Sequence, residues 1–253
     1  MRVLITGAAT GIGAATAARL RADGAHVTAV DIADPGDGAD EWVALDMTDL
    51  AAIDICKFPG RFDGLVNAAG LPPRPGLEAK ILGLNFLGLR RLSDRVEPSL
   101  NKGGSIVSVA SKAGSKWQEN LAQVQRLIAL RSMAELAEFV SDESIDPVRA
   151  YDLSKEAVIV WTKAETQRLQ ALDLRANSVS PAAIDTGILS DFMTAFGDRA
   201  KKGTALMGRP GTADEVGAVA AFLVRPESGW IKGVDLTVDG GLTAIVDAAT
   251  FPA

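Results

Sequence analysis

The segment from Arg2 to Arg21 constrains the fold more than any other. An apolar run, Val3-Leu4-Ile5-Thr6, breaks at Gly7, passes Gly11 and Gly13, and continues as a helical pattern from Ile12 to Arg21. Strand, glycine-rich turn and helix in that order open a βαβ unit. Asp23-Gly24 ends the helix, and the alternation then recurs. Further strands are expected at His26–Ile32, Trp42–Leu45, Leu65–Asn67, Ser105–Ala110, Arg175–Ser180 and Val234–Val238. Apolar strands separated by helical stretches predict an α/β fold, a doubly wound parallel sheet of seven strands with helices on both faces. Right-handed crossovers give the order 3-2-1-4-5-6-7. With 47% hydrophobic residues in 253, the chain can bury the core of one such domain spanning residues 1–253.

Two segments depart from regular alternation. Ala33 to Glu41 is rich in Gly, Pro and Asp and too short for a crossover helix, so a loop is expected. Trp117 to Ala150 is a long addition after the fifth strand. Within it Leu121, Val124, Leu127, Ile128, Leu130, Met133, Leu136, Ala137 and Val140 recur every three or four residues. That spacing predicts two short amphipathic helices, with Glu135, Glu138, Asp142 and Glu143 facing solvent. The segment reads as a lid or as a subunit interface. Residues 187–207, after the sixth strand, read as a mobile substrate lid or as a plain surface helix and loop.

Composition narrows the function classes. A net charge of −6 without a basic run argues against nucleic acid as a partner. One cysteine, Cys56, and one histidine, His26, give no Cys/His metal cluster, so no metal is expected. They also argue against a Ser-His-Asp triad; Cys56 reads as a packing residue and His26 as structural. The N-terminus opens into a core strand and no stretch approaches a membrane span, so a cytoplasmic protein without membrane attachment is expected.

Gly7, Gly11 and Gly13 would let the backbone turn tightly and approach a pyrophosphate at the start of the helix. An ordinary strand-to-helix turn is the plainer alternative. Asp31 ends the second strand about twenty residues on, where a carboxylate can accept from ribose hydroxyls and repels a 2′-phosphate. Thr10 precedes Gly11 and Ile32 follows Asp31, so no cation is offered to such a phosphate, which favours NAD over NADP. Asp31 could also be a turn former. Asp46, ending the third strand, could meet the adenine amino group or cap the next helix.

Tyr151-Asp-Leu-Ser-Lys155 contains the only tyrosine. Residues four apart share a helix face, so phenol and ammonium can enter one pocket. A nearby cation, Lys155 or an oxidised nicotinamide, would lower the phenol pKa and make Tyr151 a general acid/base. A packed Tyr beside an exposed Lys is the alternative reading.

Taken together, Thr6-Gly7…Gly11-Ile12-Gly13, Asn67-Ala68-Ala69-Gly70, Asn85, Ile106 to Ser111, Tyr151…Lys155 and Ser180-Pro181…Asp185-Thr186 resemble the short-chain dehydrogenase/reductase family over the whole length. The resemblance implies a Rossmann sheet and an NAD(H)-dependent oxidoreductase that interconverts an alcohol and its carbonyl compound. Ser111, Tyr151, Lys155 and Asn85 would be catalytic. Ser111 would steady the substrate oxygen (Ser108 is a weaker candidate), Tyr151 would exchange its proton, Lys155 would hold the nicotinamide ribose, and Asn85 would support a proton relay. Besides the glycines and Asp31, the implied cofactor contacts are Thr10, Ile12, Ile32, Asp46 and Met47, then Asn67, Ala68, Ala69 and Gly70. Pro181, Ile184 and Thr186 would meet the nicotinamide end. Pro181-Ala182 stands where the family has Pro-Gly.

The short second crossover and the 117–150 segment narrow the resemblance to the branch of bacterial 3α-hydroxysteroid dehydrogenase/carbonyl reductase and coniferyl alcohol dehydrogenase. This implies a secondary or aryl primary alcohol with a bulky hydrophobic frame as small-molecule substrate, and a homo-oligomer, a dimer rather than a tetramer. A non-catalytic NAD-binding regulator on the same fold is the alternative, but it should have lost the acid/base group. An epimerase or dehydratase should carry a longer C-terminal substrate domain.

Overall fold

The structure, a computed structural model, describes residues 1–251; residues 252 and 253 of the expected span lie outside the described residues. The chain begins with β1 (Arg2–Thr6), α1 (Gly11–Ala22), β2 (His26–Asp31), β3 (Glu41–Ala44), α2 (Leu50–Ile55) and β4 (Phe62–Asn67). A long helical stretch follows: α3 (Glu78–Leu82), a π-helical turn over Gly83–Gly88, and α4 (Leu89–Val96). Next come β5 (Leu100–Val109), α5 (Leu121–Ala129), α6 (Met133–Asp142), α7 (Pro147–Ala164) and α8 (Thr166–Ala171). The chain continues through β6 (Arg175–Pro181), β7 (Ile184–Asp185), α9 (Leu189–Phe196), α10 (Asp198–Met207), β8 (Gly211–Thr212), α11 (Ala213–Val224), β9 (Asp235–Val238) and α12 (Leu242–Ala248).

Seven strands form one parallel sheet in the order β3-β2-β1-β4-β5-β6-β9, the expected topology. The central strands β1, β2 and β4 are largely apolar and buried because both faces are covered, whereas the edge strands β3 and β9 are partly exposed. Val3 and Ile5 pack with Val27, Val66 and Val107 beneath α1 and α11. Leu4, Val30, Leu65 and Ile106 point the other way, to Ile53 of α2, Leu92 and Val96 of α4 and Leu169 of α8.

Several boundaries move. The third strand starts at Glu41 and ends at Ala44, one residue earlier than read at each end. The fifth starts at Leu100, because Leu100 pairs with Phe62 before the register shifts and Ser105 pairs with Gly64. The polar Asn101-Lys102-Gly103-Gly104 stretch makes that irregularity and hid the start of the strand. The Ala33–Glu41 connection is a loop with one 3₁₀ turn at Gly36–Gly38. The two-residue strands β7 and β8 pair with each other and were not foreseen, being too short for a periodic signal. They clamp together the two ends of the segment that carries α9 and α10.

The 117–150 segment holds two helices, α5 and α6, and its last residues already belong to α7. Asp146 caps α7 by accepting from the Arg149 backbone N–H, with Pro147 at the first turn. Ser132 and Glu135 form a capping box on α6. Val124, Leu127, Leu136 and Phe139 bury against Ile81, Leu82 and Phe86 on one side and Leu153 and Ala157 of α7 on the other. Phe139 belongs to this core although it escaped the spacing reading, while Leu121 is exposed. Polar ties reinforce the apolar ones. The buried Arg90 donates to the carbonyls of Ile128 and Leu130, satisfying groups left open where α5 ends. Buried Glu156 of α7 accepts both arms of Arg149 and the amide of Asn120.

Because Leu136 is fully buried where α6 meets α3 and the π-helical turn, Leu136→Ala should cost about 2–5 kcal/mol of stability. Urea unfolding checks it; a loss under about 1 kcal/mol would mean that α6 is not part of the cooperative core.

Candidate active site

A cavity of about 660 Å³ lies over the carboxyl ends of the strands, where the strand order reverses beside β1. Open α/β sheets offer their ligand crevice at that place. Gly7 makes the crevice possible. Its φ is +67°, and a side-chain carbon there would sit 2.7 Å from the Ala69 backbone. The bare backbone therefore lets the turn after β1 touch the loop after β4. The Thr6 hydroxyl accepts from the Ala68 and Ala69 N–H groups at 3.0 and 3.1 Å and holds that contact.

One end of the cavity is built by the start of α1. Thr10, Gly11 and Ile12 line it, and the helix has neither a side-chain cap nor an acidic residue in its first turn. Its open N–H groups and positive dipole end suit an anion such as a pyrophosphate. Asp31, Ile32, Asp46 and Met47 line the same end. Asp31 accepts from Ala9 N–H at 3.0 Å and from Ala33 N–H at 3.0 Å, so it braces the glycine-rich turn and keeps acceptor capacity for a ribose. Asp46 does not cap the next helix. It accepts from the Thr48 backbone and hydroxyl, and Asp49 caps α2.

Ser111, Tyr151 and Lys155 meet at the other end, with Ala68, Ala69 and Gly70 between and Pro181, Ile184 and Thr186 opposite. Tyr151 and Lys155 project from one face of α7, and the Lys155 Nζ lies 5.6 Å from the phenol ring centroid. The ammonium donates to the Val109 carbonyl at 2.8 Å. Ser108 is fully buried and receives a bond from Asn67, so Ser111, not Ser108, is the serine at the cavity.

Three expected residues are not on the cavity wall. Gly13 is a packing position, since a side-chain carbon there would lie 2.1 Å from the Gly7 carbonyl oxygen. Asn67 is buried under the sheet end, donating to Ser93 and Ser108. Asn85 sits in the π-helical turn and clasps Leu71, accepting from its N–H at 2.7 Å and donating to its carbonyl at 3.0 Å. It also donates to Ser154, beside Lys155 in sequence. Its side chain thus shapes the loop over Gly70 and makes no direct hydrogen bond to the ammonium.

The electrostatics differ from the expectation drawn from spacing. Burial dominates and pushes the Tyr151 phenol above its usual value; a Ser111 hydrogen bond opposes this and Asp152 adds to it. Lys155 is pushed down to about 8, again by burial. The cause is visible in the packing. Phe192 and Phe196 lie edge-on to the Tyr151 ring at 5.0 and 6.0 Å, leaving the residue 7% exposed. Tyr151 is thus stored as a proton donor, and added positive charge in the cavity would be needed to draw its proton off.

Residues 1–123 match the family described as short chain dehydrogenase, and residues 122–243 match that described as Enoyl-(Acyl carrier protein) reductase. A coniferyl-alcohol dehydrogenase of Pseudomonas sp. (strain HR199) is 36% identical over 249 residues, covering 96% of each chain. The chain belongs to the short-chain dehydrogenase/reductase family. As a member it is an oxidoreductase on a Rossmann-type sheet. The 3-alpha-hydroxysteroid dehydrogenase/carbonyl reductase of Comamonas testosteroni is 28% identical over 256 residues, 98% of this chain and 99% of that one. Among solved structures, the 3-alpha-hydroxysteroid dehydrogenase from Pseudomonas sp. B-0831 complexed with NADH superposes with a TM-score of 0.84 at 28% identity, over 99% and 100% of the two chains.

Sequence reasoning missed the aromatic cover within this dehydrogenase/reductase site. Phe192 and Phe196 stand four apart in the segment 187–207, and that spacing was the available signal. Asp152, between the two recognised motif residues, pairs with Arg199 at 2.9 Å, and Arg74 pairs with Asp191 at 2.8 Å. No long-range partner of this kind is readable from a linear pattern.

The buried Lys155 makes a sign-specific prediction. Its pKa is about 8 folded against 10.5 for the free group, so between these values the unfolded chain binds more protons. Its contribution to stability therefore rises with pH across that window, by up to about 3 kcal/mol. Urea unfolding at pH 7.5 and pH 10 should show a rise in the parent relative to Lys155→Met; parallel curves would mean that Lys155 is not strained by burial.

Proposed function

We propose that this protein is an NAD(H)-dependent dehydrogenase/reductase that interconverts a secondary or aryl primary alcohol and its carbonyl compound. The observation that carries the reading is the meeting of Ser111, Tyr151 and Lys155 at one end of a cavity whose other end is an uncapped helix N-terminus. The residues fit a dinucleotide. Gly7 and Gly11 leave the turn after β1 without side chains at two cavity-lining positions where a pyrophosphate would approach, and Asp31 and Asp46 line the end where ribose and adenine would lie. The lining cations Lys112, Lys155 and Arg199 belong to the Tyr151 end. A ribose phosphate would therefore meet two carboxylates and no cation among the described lining residues, which favours NAD.

When bound, the nicotinamide supplies the acceptor or donor of the hydride. The protein supplies position and proton transfer. Ser111 holds the substrate oxygen beside the Tyr151 hydroxyl; as a phenolate, after releasing its own proton to solvent under the positive charge that a bound oxidised nicotinamide would bring, Tyr151 takes the carbinol proton in oxidation, and as a phenol it gives its proton to the carbonyl oxygen in reduction. Lys155, whose ammonium lies 5.6 Å from the phenol ring centroid, would hold the ribose, and Asn85 keeps the Gly70–Leu71 loop shaped around the ammonium. The segment 187–207 acts as the substrate lid within a single domain, and the inserted pair α5 and α6 braces α7. The apolar lid side chains Phe192, Met193, Phe196 and Met207 favour a bulky hydrophobic substrate. The curated relatives named for coniferyl alcohol and for hydroxysteroids support that size class.

The same reading extends to assembly and place. With α5 and α6 covering α7, the free edge strand β9 and the apolar Trp230, Val234 and Leu236 beside it form the surface for a second copy. We therefore propose a cytoplasmic homodimer. No described helix is long and apolar enough to cross a membrane.

The test is absorbance of reduced nicotinamide with a panel of aryl and alicyclic alcohols. Tyr151→Phe should lower the rate at least about 100-fold, with NAD preferred to NADP by the parent. Equal rates in parent and Tyr151→Phe would end the mechanism. Light scattering should give twice the mass of the chain, and a monomer or tetramer would end the dimer.

A further inference from the structure

The aromatic cover over Tyr151 has a geometry that bears on substrate choice. Phe192 and Phe196 share a face of α9 because they are four apart. Their rings are parallel to within 8° with centroids 6.0 Å apart. Each makes an angle of 67° with the Tyr151 ring. Both line the cavity, together with Ser111, Tyr151 and the apolar Ile188 and Met193. A carbinol oxygen held between Ser111 and Tyr151 must lay its next few atoms against these two rings.

The pair is held at both ends. Asp191, one residue before Phe192, accepts from both arms of Arg74 on the opposite loop at 3.2 and 2.8 Å. Arg199 lies 4.8 Å from the Phe196 ring centroid and donates to Asp152 at 2.9 Å. Asp152 neighbours Tyr151 on α7, so the rings are tied to the helix that carries the phenol. An anchored wall loses little side-chain freedom on binding and can discriminate by shape.

We infer that Phe192 and Phe196 are specificity-determining residues that select carbinols and carbonyls whose reacting carbon lies within a few bonds of a flat aromatic ring. The inference rests on the alcohol-carbonyl reading of the site and chooses between the two skeletons that reading leaves open. The two rings carry polarised faces and edges, which another aromatic ring meets in stacked or edge-on geometry. A puckered saturated skeleton meets the same wall with axial hydrogens and gains contact area alone. The difference is worth about fivefold in kcat/KM for one ring pair.

The experiment compares cinnamyl alcohol with 3-cyclohexylprop-2-en-1-ol, its ring-saturated counterpart with the same allylic carbinol, in the full-length protein with NAD. Intrinsic reactivity of the two alcohols cancels when variants are compared with the parent. The aryl preference in kcat/KM should fall about fivefold in Phe192→Leu and in Phe196→Leu. It should be retained in Phe192→Tyr, which keeps the ring. A preference unchanged in both leucine variants, including one in which both substrates lose rate by the same factor, would overturn the inference and leave the alcohol reading standing. Turnover of neither alcohol by the parent, with no rate on any alcohol or ketone of the wider panel, would overturn both.

Discussion

The contact between the Gly7 turn and the Ala68–Ala69 backbone is the constraint on which the site depends. It brings the carboxyl ends of β1 and β4 together without intervening side chains, with Thr6 bonding both amides across the gap. Gly13 repeats the device one turn into α1, so the helix lies against the carbonyl of Gly7 with its first N–H groups facing the crevice. A side chain at either glycine would push strand, helix and neighbouring loop apart and displace Asp31, which braces the same turn through Ala9. Cavity, anion-favouring helix end and the carboxylate of Asp31 beside it are thus consequences of one close approach.

The second organising element is α7, which carries Tyr151 and Lys155 and is buried along most of its length. A helix buried on nearly all sides needs neighbours on all sides. The sheet supplies one, α3 and the π-helical turn another, and α5 and the 3₁₀ turn at Lys112–Lys116 the remainder, with α6 packed behind on α3. Buried Glu156 would be costly alone, and its bidentate pair with Arg149 and bond from Asn120 answer that cost while fixing α7 against α5. The same burial suppresses ionisation of Tyr151 and weakens protonation of Lys155. Precision of placement and proton chemistry are therefore set by one cause, the dryness of the helix.

Much of this was legible in the linear chain. Strand order, the glycine-rich turn, Asp31, Ser111 and the Tyr151–Lys155 pair carry local or periodic signals, and each lies where those signals put it. Asn67 and Asn85 were harder, because a motif gives a position along the chain and not a side-chain direction. Asn67 turns into the sheet toward Ser93 and Ser108, and Asn85 turns toward Leu71. The two-residue strands β7 and β8 left no trace, since a pair of residues has no period.

By itself the sequence determined the sheet, the kind of turn at its switch point and which polar groups were available for acid/base work. These follow from periodicities of two and 3.6, from glycine's missing side chain and from the scarcity of Tyr, His and Cys. Only the tertiary structure decided the environment of those groups. Phe192, Phe196, Arg199 and Arg74 reach Tyr151 and its neighbours from elements distant in the chain. Desolvation depends on everything packed around a group, whatever its place in the sequence, and so the pKa shifts of Tyr151 and Lys155 and the aromatic pair packed on Tyr151 belong to the fold.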